Sequence, residues 1–224
     1  MSSSEAYQGA LATVADYVDR IGDEVVDQID TTNEEGDQID GYQCLHGTTP
    51  YVILASPDSE LMIIQFDAPI HNPLIPQVLQ ADPEIAADLE GQEEVEVEVT
   101  PQHHQQAQQL LSSRLSGVDE GMLQDVRQKL TEILAGSACA WEIRPNDQPI
   151  VLEFSVKKNI FPQSDDLTIG RFDESVQTVI TQGVAGHTFV QSAYGLQGQQ
   201  EDQEQSSTSS EDIDPSGPGS RGFR

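Results

Sequence analysis

Five histidines and two cysteines carry the soft-ligand and nucleophilic chemistry of this chain: His46, His71, His103, His104 and His187, with Cys44 and Cys139. Metal sites need ligands that converge, often at short motif spacings. No HExxH or CxxC accompanies these residues, so neither a metal nor a cofactor is expected. His103 and His104 are adjacent and point to different faces of a helix, which reads as exposed helix surface. Cys44 and His46 stand two apart on a strand-like segment, so both face one side of it. They form the candidate reactive pair, although no third group or oxyanion geometry is signalled. In their apolar surroundings both cysteines read as buried thiols. Carboxylate pairs are uninformative here, because 39 acids generate them by chance, whereas acid–base catalysis needs a desolvated carboxylate with a shifted pKa. The glycines of VAGHTF and YGLQGQ lack the strand-then-helix setting of a phosphate-cradling loop, and there is no Gly-x-Ser-x-Gly elbow.

Those acids face only 10 Lys and Arg, a net charge of -29 over 224 residues. Such a chain repels itself at ordinary ionic strength, where charges interact over roughly 8–10 Å; at molar salt that range falls to about 3 Å. Organised apolar segments point to a folded protein, and the two facts together point to the salt-rich cytoplasm of an extreme halophile, an archaeal one by this reading. Lys scarcity agrees, since Lys exposes methylenes along with its charge. The acids run the full length, so an acidic tail does not account for them. Direct nucleic-acid binding is not expected, because phosphate contacts need clustered Lys and Arg and the ten basic residues are scattered. The first residues lack a secretory pattern, and no apolar run approaches membrane-spanning length, so a cytoplasmic location without membrane insertion is expected.

Several elements are needed to position any site. Residues 6–30 read as one amphipathic helix with Leu11, Val14, Val18, Ile21, Val25 and Ile29 on its stripe. Segments 41–47, 51–55 and 61–66, separated by compact turns, read as an antiparallel meander. Residues 68–93 read as a connection or insertion, with helical turns around Ile75 and Val78. EEVEVEVT at 93–100 alternates as a half-buried strand. Thr100-Pro101 starts a helix to about 115. A second helix at 119–135 carries Met122, Val126, Leu130, Ile133 and Leu134. CAWEI at 139–143 and PIVLEFSV at 149–156 are strands, and 172–182 is a helix whose end Gly183 and Gly186 soften. Residues 198–224 read as a disordered acidic tail. The expected architecture over 1–197 is one α+β domain, a two-layer α/β sandwich with an antiparallel sheet packed against helices.

The stretch IVLEFSVKKNIFPQSDDLTIGRFDESVQTVI, residues 150–180, resembles the C-terminal half of type III secretion chaperone-like and YbjN-like two-layer α/β proteins. The signature lies around Leu167-Thr168 and Phe172-Glu174-Ser175-Val176. Residues 95–115 are similar to their strand-then-helix passage, and the likeness covers about residues 6–190. Residues 68–93 depart from the compact pattern. The resemblance implies a protein that acts by binding other proteins, with no catalytic motif to transfer.

The leading functional reading is therefore a non-enzymatic cytoplasmic accessory, chaperone-like or regulatory protein that binds a protein partner or a second copy through an uncharged apolar patch on the sheet or along the first helix. Trp141 reads first as core packing in its strand; if exposed it anchors an interface, and Trp141, Phe172 and Val176 are the candidate interface residues. The alternatives are a small enzyme using Cys44 and His46, and a structural component of a larger assembly.

Overall fold

A computed structural model describes residues 3–32, 36–57, 59, 61–81, 99–162, 164 and 167–196. The chain runs α1 (Ser3–Ile21), β1 (Glu24–Thr32), β2 (Gln38–His46), β3 (Thr49–Ala55), β4 (Met62–Pro69), a 3-10 turn at Asn72–Leu74, α2 (Ile75–Ala81), α3 (Pro101–Leu115), α4 (Glu120–Ala135), β5 (Ala140–Arg144), β6 (Glu153–Ile160) and α5 (Ile169–Ala193). The six strands form one sheet in the order β1-β2-β3-β4-β6-β5, and every neighbouring pair is antiparallel. The fold is an α+β sandwich, as expected from the alternation of short apolar runs and amphipathic stripes.

The first helix is shorter than its apolar spacing suggests. Gly22 adopts φ 85° and donates to the carbonyl of Asp19, while Asp23 donates to that of Val18. This is a left-handed Schellman stop. The Val25–Ile29 stretch, expected on the helical stripe, instead becomes edge strand β1, paired with β2 from Glu24↔Leu45 to Thr32↔Gln38. Its β-branched residues suit a pleated surface, and three of its nine residues are acids that discourage edge-to-edge pairing. The meander thus has four strands.

The long final helix departs in the opposite sense. Gly183 and Gly186 lie inside α5 and are buried. A side chain at Gly183 would overlap the Phe66 ring, and one at Gly186 would stand 2.9 Å from Phe154 Cζ and 3.0 Å from Leu130 Cδ1. The two glycines let α5 lie directly on β4 and β6, so they mark close packing rather than a frayed end.

Along β3 and β4, Tyr51, Ile53, Ala55, Met62, Ile64, Phe66 and Ala68 point toward the helices and are buried. So do Phe154 and Val156 of β6 and Ile143 of β5, completing the inner face with Val14 and Val18 of α1 and Phe172, Val176 and Val179 of α5. In α4 the buried stripe is Leu123, Val126, Leu130 and Leu134; Met122, expected on it, is exposed. The connection after β4 contributes Ile70, Leu74 and Val78 to the core. There α2 and α3 pack on each other, near the junction where Ile70 donates to the Leu152 carbonyl. The expected strand at 93–100 lies outside the described residues apart from Val99 and Thr100, which are not in a strand, and the tail at 198–224 lies wholly outside them.

Candidate functional site

Cys44 and His46 do share one face of β2, on the helix side. Between them stand two residues the sequence did not flag. Asp23, just beyond the Gly22 stop, is buried, and its carboxylate accepts from His46 Nδ1 at 2.7 Å and from the Tyr51 hydroxyl at 2.8 Å. Tyr51 lies directly opposite Cys44 in the β2–β3 register, with its hydroxyl close enough to act on the thiol. On the other side of the ring, the Gln177 amide of α5 donates to His46 Nε2 at 3.1 Å. The network therefore places the ring proton on Nδ1, toward Asp23. A chain of side chains, Gln177–His46–Asp23–Tyr51–Cys44, ties together α5, β2, the end of α1 and β3.

This arrangement suits a structural clamp better than a nucleophilic site. The nucleophile in thiol chemistry is the thiolate, and burial pushes the Cys44 thiol up to about 11, against a smaller lowering by the Tyr51 hydroxyl. Burial likewise raises the Tyr51 phenol, with the Cys44 and Asp23 interactions acting in the same direction. The Asp23 side chain is 2% exposed and that of His46 32%, and both imidazole nitrogens are already engaged. Cys44 and His46 are thus linked through Asp23 and Tyr51 rather than aimed at one reacting atom. The signal that marks Asp23 in the sequence is the helix stop at Gly22; Tyr51 and Gln177 carry no local signal.

The other candidates divide. Phe172 and Val176 are fully buried, with Phe172 tilted against Tyr17 at 5.7 Å between ring centroids; they hold α5 to the core and offer no surface to a partner. Trp141 is 37% exposed on edge strand β5, on the helix side, opposite Val156. His103 is not an exposed surface residue. It is buried, and its Nδ1 accepts the Thr100 backbone N–H at 3.1 Å, completing a capping box at the start of α3. His104 is half-buried, with Nδ1 3.3 Å from His71 Nε2. His187 meets Gln191 at 3.0 Å and the Pro69 carbonyl. Among the described residues, no group of three or more His, Cys, Asp or Glu converges as metal ligands.

The opposite face of the sheet carries a different chemistry. Among the described residues, α1 and α5 lie on one side of the sheet: Tyr7 of α1 donates to Asp40 at 2.9 Å, and α5 lies on Phe66 and Phe154. The strand registers put Ile29, Ile39, Leu45, Val52, Leu54 and Ile63 on the other side, with Leu54 directly opposite Ile63 and Ile29 beside Gly41. All six are half-buried, and none belongs to the core cluster or the residues packed against it. Beyond β4 the same face turns polar. Arg144 pairs with Glu142 at 2.9 Å and Glu153 at 3.1 Å, and Lys157 reaches Glu142 at 3.4 Å. These pairs border a cleft of about 280 Å³ lined by Gln65, Asp67, Pro69, Arg144, Glu153 and Ser155. The Arg144 and Lys157 charges are paired with acids of the same strands. The outward face of the sheet thus carries these aliphatic side chains over β1–β4, with Gln43, Gln65 and Asp67 beside them, and is ionic over β6–β5.

No known protein family matches the sequence, and no curated protein matches it. The fold is similar to that of an uncharacterized protein from Methanothermobacter thermautotrophicus, with a TM-score of 0.53 and 12% identity, over 83% of this chain and 99% of that one. The likeness extends the fold to a second protein and assigns no activity. Among the described residues, no helix is long and apolar enough to cross a membrane.

Proposed function

We propose that this chain is a non-enzymatic accessory protein that binds a partner protein on the open face of its sheet. The carrying observation is the set of six aliphatic side chains over β1–β4, Ile29, Ile39, Leu45, Val52, Leu54 and Ile63, which no described helix covers. In a chain with 39 acids, an uncharged cross-strand patch is the surface where burial stabilises a complex, at roughly 25 cal/mol per Å² of apolar area. Solitary exposed apolar residues need no explanation, but a contiguous patch marks an interaction surface. The acid distribution supports a halophile's salt-rich cytoplasm as the setting, where charge repulsion between partners is screened. The resemblance to chaperone-like proteins supports an accessory or regulatory role.

The test is affinity capture in molar KCl of the chain and of the double variant Leu54→Glu/Ile63→Glu, with circular dichroism as the folding control. The expected result is one partner at fixed stoichiometry with the natural chain, lost in the variant while the fold is kept. Equal capture by both, or no partner with either, refutes the reading.

A further inference from the structure

The order of the polar groups on the outward face of the sheet selects an occupant for it. The strand registers align one row of residues across five strands: Asp27 on β1, Gln43 on β2, Val52 on β3, Gln65 on β4 and Lys157 on β6. Gln43 and Val52 are chain neighbours of the inward-facing Cys44 and Tyr51, so the row faces outward. By class it reads acid, amide, aliphatic, amide, base, which is self-complementary about β3. The neighbouring outward row is Ile29, Gly41, Leu54, Ile63 and Asn159. Gly41 has no side chain and leaves a gap between Ile29 and Leu54. That gap stands one strand from β3 on one side, as Ile63 does on the other.

We propose that the occupant of this face is a second copy of the chain, packed sheet on sheet about a twofold axis that runs along β3. The proposal rests on the open face being the partner surface, and it names the partner. A twofold contact is isologous, so a residue on one side of the axis meets the residue at the same distance on the other. Val52 and Leu54 then meet their own counterparts, and Gln43 meets Gln65 of the second copy, amide to amide. Ile63 enters the gap at the second copy's Gly41. Asp27 meets Lys157 of the second copy, and the rotation makes that pair twice. Asp27 is exposed, and the Lys157 side chain is 28% exposed with one carboxylate, Glu142, at 3.4 Å. An ammonium has three donors, which leaves Lys157 able to bridge Glu142 and the incoming Asp27. Sheets stacked face to face align their strands to within about 30°, so the matched positions stay in register near the axis. Repulsion between two chains of net charge -29 is cut to a range of about 3 Å in molar salt, and the contact itself then decides.

Sedimentation equilibrium of the full chain in molar KCl tests this, with circular dichroism as the folding control. The natural chain should be a dimer and Leu54→Glu/Ile63→Glu a monomer. Asp27→Lys and Lys157→Glu should each weaken the dimer about tenfold, because each sets like charges against each other at both ends of the row. An equimolar mixture of those two variants should regain the dimer, since the mixed pair has opposite charges at both ends. Within one chain the two positions are four strand spacings apart, roughly 19 Å, so rescue on mixing reports contact between chains. A monomer at every concentration, a dimer indifferent to Leu54→Glu/Ile63→Glu, or no rescue on mixing overturns the proposal. A monomeric chain that captures an unlike protein, and loses it in Leu54→Glu/Ile63→Glu, overturns the second copy alone and keeps the open face as a partner surface.

Discussion

Replacing Gly183 by Ala should destabilise the protein, although the same exchange elsewhere in a helix should stabilise it. In a helix interior, Ala is favoured over Gly by about 1 kcal/mol. At Gly9, in α1, an added methyl group meets nothing within 4 Å, so Gly9→Ala should gain most of that amount. At Gly183 the methyl carbon would stand 2.6 Å from Phe66 Cγ and 2.7 Å from Cε1. Phe66 is 4% exposed and sits between Ile64 and Ala68 of its own strand, so it has little room to retreat. Overpacking of this kind costs about 1–3 kcal/mol, and the overlap here belongs at the upper end. The net loss should be about 1–2 kcal/mol, which separates the two variants by roughly 2–3 kcal/mol once the Gly9 gain is added. Thermal unfolding in molar KCl, followed by circular dichroism, measures both; at about 2–4 °C per kcal/mol for a chain of this size, their melting temperatures should fall on opposite sides of the parent. If Gly183→Ala is as stable as Gly9→Ala, α5 does not rest on β4, and the account of the helix layer fails.

Thiol chemistry and a loop clamp offer two more measurements. At pH 8 Cys139, half-buried beside Ser137, should react with a disulfide reagent well before Cys44. Burial lifts Cys44 to about 11, so only about one part in a thousand is thiolate there, and comparable rates would show that the Asp23–Tyr51–Cys44 interior is open. The raised folded-state value also means that the stability associated with Cys44 is present below about pH 9 and lost as pH rises through about 11; a flat stability profile across that window contradicts its burial. Arg127 donates to the carbonyls of Pro145 at 2.8 Å, Gln148 at 2.9 Å and Asn146 at 3.3 Å. Arg127→Ala should therefore cost about 2–3 kcal/mol, as charge-assisted bonds do, and raise amide exchange in the 144–149 turn; unchanged exchange there would refute the clamp.

The sequence reached the fold class because each element's period was written locally. The runs 51–55 and 61–66 alternate with turns of Gly, Pro and Ser, and Thr100-Pro101 opens a helix as capping chemistry requires. It failed where a local signal served a distant contact. The Val25 and Ile29 spacing fits a helix, yet Gly22 stops that helix and pairing with β2 takes the residues. Gly183 and Gly186 resemble a helix end, yet they are small because Phe66 and Phe154 press on them. His103 reads as surface and is instead the buried partner of the Thr100 cap of its own helix.

The candidate site divides along the same line. Sequence spacing alone put Cys44 and His46 on one face of a strand, since side chains alternate with period two. The charge alone made every acid pair ambiguous. Only the tertiary structure brought Asp23 and Tyr51 between the pair, set His71 against His104 across 33 residues, buried Phe172 and Val176, and left Ile29, Ile39, Leu45, Val52, Leu54 and Ile63 together with no described helix over them. The physical reason is that periodicity fixes which residues share a face of one element. Which face is covered, and what meets across it, depends on how the strands order themselves and on which side of the sheet the helices settle.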